Sequence, residues 1–195
     1  MGLMRIQNTG NRGRGASLIM TALVFYGILA VGAFLWQWIV AGDPLLIFRI
    51  NAKRPRMGAE TGLLLGAFLF NLVFDYAGPR YSSLLSRFQN SLREIIGPLL
   101  PRDIFILAVL SAFGEELFFR GAVQASLGFI PATLLFAASH YPLKKELWLW
   151  PLYALLMGSV LGTLRILGGD IWSAVLLHFS VNAVSLGLIS GKSRK

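Results

Sequence analysis

The sequence predicts an all-α fold: a polytopic transmembrane helical bundle of about six spans with one interfacial amphipathic helix, forming a single membrane domain over residues 1–195. Three observations predict it. Hydrophobic residues make up 55% of the 195 positions and charged residues only 14%, where soluble domains run at roughly 45–50% apolar and about a quarter charged. Apolar runs approaching the roughly 20 residues that a helix needs to cross a hydrocarbon core recur along the whole chain. Basic residues fall between these runs, as expected of loops facing anionic headgroups.

The first run, Ser17–Ala41, follows a basic tail over residues 1–16 that contains Arg5, Arg12 and Arg14. It is too long for a signal-peptide core and leads into Gly42-Asp43-Pro44 rather than a small-residue cleavage site, so it reads as a span. The second span is Met57–Tyr76, the third Ile104–Leu127, the fourth a short one at Pro131–Leu143, the fifth Leu147–Leu167 and the sixth Ile171–Ser190. Trp148, Trp150 and Trp172 fall at span ends, where an aromatic belt places them. Residues 80–97 differ. Leu84, Leu85, Phe88, Leu92, Ile95 and Ile96 recur at helical spacing, while Arg80, Arg87, Asn90 and Glu94 fall largely on the other side, which is the pattern of a helix lying in the interface. Pro98 and Pro101 end it.

The net charge is +9, from 18 Lys and Arg against 9 Asp and Glu. No nucleic-acid partner is expected, because the basic residues alternate with apolar spans; the partner this charge implies is the lipid bilayer. Positive-inside counting places both termini in the cytoplasm, with the 42–56 loop (Arg49, Lys53, Arg54, Arg56) as an exception. The chain has no cysteine, which removes disulfides, thiolate nucleophiles and Cys-ligated zinc.

Ionisable groups deep in a membrane helix cost at least about 2.5 kcal/mol each on insertion scales, so they mark functional sites by default. The third span holds Glu115, Glu116 and Arg120, and the only two histidines, His140 and His178, both fall in apolar runs. Glu116 and Arg120 are four apart, as are His178 and Asn182, so each pair shares a helix face. At a rise of about 1.5 Å per residue, Glu115, His140 and His178 lie roughly 16, 14 and 11 Å into their spans, counted from alternating faces, a shared depth near the bilayer centre. Peptide hydrolysis needs an activated water, a general base and a stabiliser for the oxyanion. Successive helical positions differ by about 100°, so Glu115 and Glu116 cannot aim at one point. Glu116 is placed to pair with Arg120, which leaves Glu115 to work on water. His140, His178 and Asn182 can position the water or donate to the oxyanion. Alternatively, His140 and His178 with Glu115 would suffice for a catalytic zinc with an open position. The residues leave the metal-bound and metal-free alternatives open.

Three motifs carry a family resemblance. Glu115-Glu116-Leu117-Phe118-Phe119-Arg120-Gly121 resembles the EExxxR signature of the CAAX-processing and bacteriocin-processing (CPBP, or Abi) intramembrane proteases. Phe136-Ala137-Ala138-Ser139-His140 is similar to the FxxxH motif of that family, and His178-Phe179-Ser180-Val181-Asn182 to its HxxxN motif, in the same order and spacing. Gly158–Gly162 is similar to the small-residue helix before the last motif. The resemblance covers about residues 100–190, with 103–190 as the catalytic core. It implies a multi-pass endopeptidase of a prokaryotic plasma membrane, in which Glu115 activates water, Glu116 and Arg120 support it, and His140, His178 and Asn182 complete the site. The cofactor it implies is either zinc or none. The substrate it implies is a peptide or protein, membrane-anchored or lipidated, processed at a CAAX-type end, a C-terminal sorting signal or a bacteriocin-type precursor.

Other readings stand beside this one. Glu116 with Arg120 can be a structural ion pair, and His140, His178 and Asn182 can be interhelical hydrogen bonds. A catalytically inactive immunity or scaffold protein of the same fold is the alternative function. A proton-coupled carrier would show two similar halves and broken helices, and the sequence has no such symmetry. Gly62, Gly66, Gly158 and Gly162 read as close-packing positions between helices.

Overall fold

The computed structural model describes residues 2–48, 57–142 and 144–191, with side chains from Gly15 onward. Among these residues every regular element is helical. The Arg49–Arg56 part of the exceptional loop, the side chains of the basic N-terminal tail and the basic residues after Gly191 lie outside the described residues.

The elements are α1 (Gly2–Ala41), a 3₁₀ turn (Pro44–Phe48), α2 (Met57–Tyr76), α3 (Gly78–Tyr81), α4 (Ser83–Ile96), α5 (Pro101–Glu115), a π-helical segment (Glu116–Val123), α6 (Gln124–Leu127), α7 (Phe129–Ser139), a 3₁₀ turn (Lys145–Leu147), α8 (Leu149–Gly168) and α9 (Trp172–Ser190). Helix α1 runs back through the tail to Gly2. Four helical stretches are long and apolar enough to cross a membrane: Gly15–Ala41, Met57–Tyr76, Lys145–Gly168 and Trp172–Ser190. Ser83–Ile96 with Pro101–Leu127 makes a fifth if that pair is taken as one broken span, bent by 103°. The expected fourth span is only an 11-residue helix, Phe129–Ser139. Pro142 explains its early end, because a proline forces the residue before it out of the helical region.

The outward faces are apolar. Ile28, Ile39, Leu69 and Ile166 are each more than half exposed, as expected where the surroundings are lipid. Inside, α5 is flanked by α1 and α9, α7 packs along α8, and α2 closes the bundle against α8 and α9. The largest buried cluster joins Phe119, Phe136, Met157, Leu161, Leu164, Leu177 and Val181.

Amphipathic α4 lies across the bundle. Its buried Phe88 and Leu92 pack on Leu147 and Ile189 while Arg87, Asn90 and Glu94 face out. Ser82 caps its start, accepting from the Leu85 N–H at 3.3 Å. This cap divides the expected 80–97 helix into α3 and α4. Gly97 (φ +67°, ψ −171°) ends α4 and starts the bend; this backbone region is essentially reserved for glycine, and a side chain there would cost about 1–3 kcal/mol. Arg93 and Gln89 tie α4 down, donating to the Ile189 carbonyl at 2.9 Å and the Asp75 carbonyl at 2.9 Å.

Helix α5 begins with Pro101 in its first turn, where the missing N–H costs nothing. Its 15 residues then pass directly into the π-helical Glu116–Val123, where the Gln124 N–H reaches back to the Phe119 carbonyl. Such widened turns disturb the α-helical hydrogen-bond ladder and are frequent at functional sites. Here α1 supplies a partner, since Gln37 donates to the Gly121 carbonyl at 2.7 Å.

Candidate active site

All six sequence-predicted residues lie at or next to one small cavity. Glu115 ends α5, Glu116 and Arg120 lie in the π segment, His140 follows the last residue of α7, and His178 and Asn182 are one turn apart on α9. The cavity has a volume of about 130 Å³, and Glu115, His140, His178 and Asn182 line it together with Tyr26, Trp150 and Tyr153.

Each imidazole is held by one nitrogen. His140 is not inside its helix, as the sequence suggested, but in the turn that ends it, and its Nδ1 lies 2.8 Å from the Phe136 carbonyl oxygen. A carbonyl can only accept, so Nδ1 carries the proton and caps a carbonyl that the helix end leaves free. His178 is buried, with Nδ1 2.7 Å from Glu116 Oε1. This carboxylate–imidazole pair also puts the proton on Nδ1. In the neutral form of each ring Nε2 is then the bare nitrogen, and both Nε2 atoms face Glu115 Oε2, at 3.8 Å from His140 and 4.0 Å from His178. That oxygen is buried without a hydrogen-bond partner.

Glu116 and Arg120 stand behind His178. Arg120 Nη1 donates to Glu116 Oε1 at 3.1 Å, and its Nη2 donates to the Gly158 carbonyl at 3.1 Å. The guanidinium is 1% exposed and the carboxylate fully buried. The Arg120 head also lies 4.2 Å from the Phe136 ring centroid, a desolvated cation–π contact of about 2 kcal/mol. The two adjacent glutamates thus take opposite nitrogens of the same imidazole. They do not converge on one point, as the helical angle required, yet they act on one ring.

Glycine makes these approaches possible. A Cβ on Gly158 would stand 2.9 Å from Phe136 Cδ1, and one on Gly162 would stand 2.8 Å from Phe129 Cε2 and 3.1 Å from Gln124 Oε1. One turn after the Arg120 bond to Gly158, Gln124 donates to the Gly162 carbonyl at 2.9 Å. The close-packing expectation for these two glycines agrees with the geometry. For Gly62 and Gly66 it is corrected, since an added Cβ would meet nothing within 4 Å at either. Both face outward from α2, and their helical spacing alone could not reveal that.

Asn182 does not point at Glu115. Its Nδ2 donates to Ser111 Oγ at 2.8 Å. Tyr26, from α1, lines the small cavity beside Glu115 and the larger one beside Ser111. Tyr26, Ser111, Trp150 and Tyr153 were missed by sequence reasoning. Ser111 had a signal, lying one helical turn before Glu115. Tyr26 had none, being one aromatic in a long apolar run. Trp150 was read as a belt residue, yet its ring centroid lies 5.8 Å from that of His140.

A zinc ion can be tested against the donor set. Two ligands each about 2.0–2.1 Å from a tetrahedral zinc lie about 3.3–3.4 Å apart, whereas Glu115 Oε2 stands 3.8 and 4.0 Å from the two imidazole nitrogens. Among the described residues no group of three His, Cys, Asp or Glu side chains has metal-holding geometry. Glu115 Oε2 thus stands about half an ångström too far from each imidazole nitrogen for a tetrahedral zinc. A water oxygen with bent hydrogen bonds of about 2.8 Å does fit between acceptors so spaced.

A second cavity of about 420 Å³ adjoins the first. Helices α1, α4 and α9 supply most of its apolar walls, including Phe25, Phe88, Leu92 and Ile189, and it shares Tyr26, Trp150, Tyr153 and Asn182 with the smaller one. Asp75 lies on its wall, bonded to Asn71 at 3.3 Å and to Ser185, and Tyr153 in turn bonds Asn71.

Comparison with known proteins adds a similarity over the second half of the chain. An 85-residue stretch is 34% identical to the uncharacterized protein YpbD of Bacillus subtilis, covering 44% of this chain and 44% of that protein. The matched stretch is thus less than half the length of that relative. No solved structure matches the chain. The family model described as type II CAAX prenyl endopeptidase Rce1-like matches residues 98–184, which include all six motif residues. Over residues 98–184, this membrane-embedded helical chain is similar to the Rce1-like family, in agreement with the CPBP resemblance of its three motifs.

Proposed function

We propose that the chain is an intramembrane endopeptidase that hydrolyses a peptide bond with a water activated by Glu115. One observation carries the reading: a partnerless carboxylate oxygen, Glu115 Oε2, faces two imidazole nitrogens whose protons are committed elsewhere. Three acceptors pointed at one another need something between them that supplies hydrogens, and a water supplies two. The water gives one proton to Glu115 as its oxygen attacks the substrate carbonyl carbon. Its other hydrogen is accepted by an imidazole Nε2 lone pair, of His140 or His178, which orients it. Asn182 uses one N–H on Ser111, so its second is available to the developing oxyanion. When the tetrahedral intermediate collapses, the C–N bond breaks and the proton held by Glu115 passes to the leaving amine. Glu116 and Arg120 keep His178 in the tautomer and orientation this requires, as the carboxylate partner of a catalytic histidine does elsewhere.

The substrate is an apolar or lipid-modified peptide end, with the larger cavity taking its apolar part. The family description supports a CAAX-type end. Processing of C-terminal sorting signals or of bacteriocin precursors would use the same chemistry. The basic residues favour a cytoplasmic N-terminus, and an even number of spans puts the C-terminus on the same side.

The test uses two internally quenched peptides offered to protein in lipid nanodiscs, one with a farnesylated cysteine four residues from its C-terminus and one unmodified. Wild type should cleave at least the farnesylated probe at an internal bond, identified by mass spectrometry, and Glu115→Gln should not, while keeping the wild-type melting temperature. Cleavage by Glu115→Gln at the wild-type rate would refute the assignment of the base. A folded wild-type protein inert to both probes would count against the endopeptidase reading and favour the inactive scaffold.

A further inference from the structure

The site described so far comes from the stretch that matches the family. One polar group that reaches it does not. Tyr26 belongs to α1, more than seventy positions before the matched residues begin. It lines the catalytic cavity, the apolar cavity and a third cavity of about 230 Å³ that also meets Glu115 and His140. It therefore stands where the three spaces join. It lines one of these spaces beside Glu115 and another beside Ser111 and Asn182.

The approach is close because α5 has no side chain at Gly114. A Cβ there would stand 2.6 Å from Tyr26 Cβ and 3.1 Å from its Cα, a distance that real side chains do not tolerate. Gly114 thus lets α1 lie directly against the turn that carries Glu115. Ser111 sits one turn earlier on the same helix and accepts from Asn182 at 2.8 Å.

We propose that Tyr26 is a positioning residue for the base: with Ser111 it links Asn182 to Glu115 and orients the carboxylate so that Oε2 faces the two imidazoles. The donors run in one direction. The Asn182 N–H goes to Ser111, the Ser111 hydroxyl can turn from the Ala108 carbonyl (3.2 Å) to Tyr26, and the Tyr26 O–H can turn to Glu115. This explains why Asn182, one turn from His178, aims away from Glu115. It acts on the carboxylate through two hydroxyls as well as on the oxyanion. A carboxylate with no other fixed donor would rotate about its last torsion, which is broad and only two-fold. A misplacement of about 1 Å at a reacting group costs on the order of 100-fold in rate.

The kinetic arm of the test rests on the endopeptidase reading; the spectroscopic arm does not. Tyr26→Phe removes only the hydroxyl and keeps the ring against Gly114. With the farnesylated probe, kcat should fall by about 10- to 100-fold with KM unchanged, and Ser111→Ala should fall by a similar factor. The double variant should be no slower than the slower single variant, because both break one chain of bonds. A Tyr26→Phe enzyme with wild-type kcat, or a double variant showing the product of the two losses, would overturn the proposal. In parallel, an infrared difference spectrum of Tyr26→Phe against wild type should show a shifted carboxylate stretch that disappears in a Glu115→Gln background. If no carboxylate band moves, the proposal fails whether or not any peptide is cleaved. A band that moves in a protein inert to the probes would leave the positioning role standing and sink the endopeptidase reading instead.

Discussion

Gly158→Ala adds one methyl group to α8 at the point where that helix meets the site. The new Cβ would lie 2.9 Å from Phe136 Cδ1 and 3.6 Å from Arg120 Nη2. Ordinary contact at Phe136 needs a shift of at least about half an ångström, and overpacking of this kind costs about 1–3 kcal/mol. Replacing a helical glycine returns about 0.5–1 kcal/mol, so a net loss of roughly 0.5–2 kcal/mol remains. At about 2–4 °C per kcal/mol for a chain of this size, the melting temperature should fall by a few degrees. The kinetic effect should be larger than the thermal one suggests. Phe136 touches both imidazoles, with ring centroids 4.6 Å from His140 and 6.2 Å from His178, and its carbonyl holds His140 Nδ1. Moving it moves the focus of the site, and kcat should fall on the order of 10-fold. The control is Gly62→Ala, whose Cβ meets nothing within 4 Å; it should be neutral or slightly stabilising. Nanodisc melting curves and cleavage of the farnesylated probe read both quantities. Wild-type stability and kcat in Gly158→Ala, or equal damage from Gly62→Ala, would refute the packing described for α7 and α8.

Arg120→Met leaves buried Glu116 with His178 as its only described hydrogen-bond partner; breaking such a pair costs about 3–5 kcal/mol, so loss of fold or a large drop in melting temperature is expected. Gly97→Ala places a side chain at φ +67° and should cost about 1–3 kcal/mol, read as a lower melting temperature. Elemental analysis of purified, active protein should find substoichiometric zinc, and chelators should leave cleavage unchanged; one zinc per chain, lost together with activity, would contradict the water-only site. Because the chain has no cysteine, single-cysteine labelling maps its topology directly. Tyr81→Cys, 89% exposed beside α4, should react with a membrane-impermeant maleimide from one side only, and Ile28→Cys, on the lipid face of α1, should not react.

The helical membrane fold was legible because a span leaves a long apolar run and an interfacial helix leaves a period of 3.6. The bounds of α2, α8 and α9 agree with the reading to within two residues. The shortness of α7 was legible but its bounds were not: Pro142 in the sequence already marked a stop, and the helix runs Phe129–Ser139 instead of Pro131–Leu143. The six site residues stood out because charge and imidazole are costly in a bilayer, so each survives for a reason. What stayed hidden was whatever depends on contact between distant segments. The π segment has no marker beyond the motif it carries. Tyr26 and Trp150 look like ordinary span aromatics until α1 and α8 are placed beside α5. Gly62 and Gly158 have similar helical surroundings in sequence, yet one faces open space and the other Phe136.

A density map of the protein in a bilayer, resolved well enough to place waters, tests the water-holding focus most directly. It should show one water-sized peak about 2.7–3.0 Å from Glu115 Oε2 and from the Nε2 atom of His140 or His178. Either imidazole turned away from Glu115, or an anomalous zinc peak about 2.0 Å from those atoms, would contradict it.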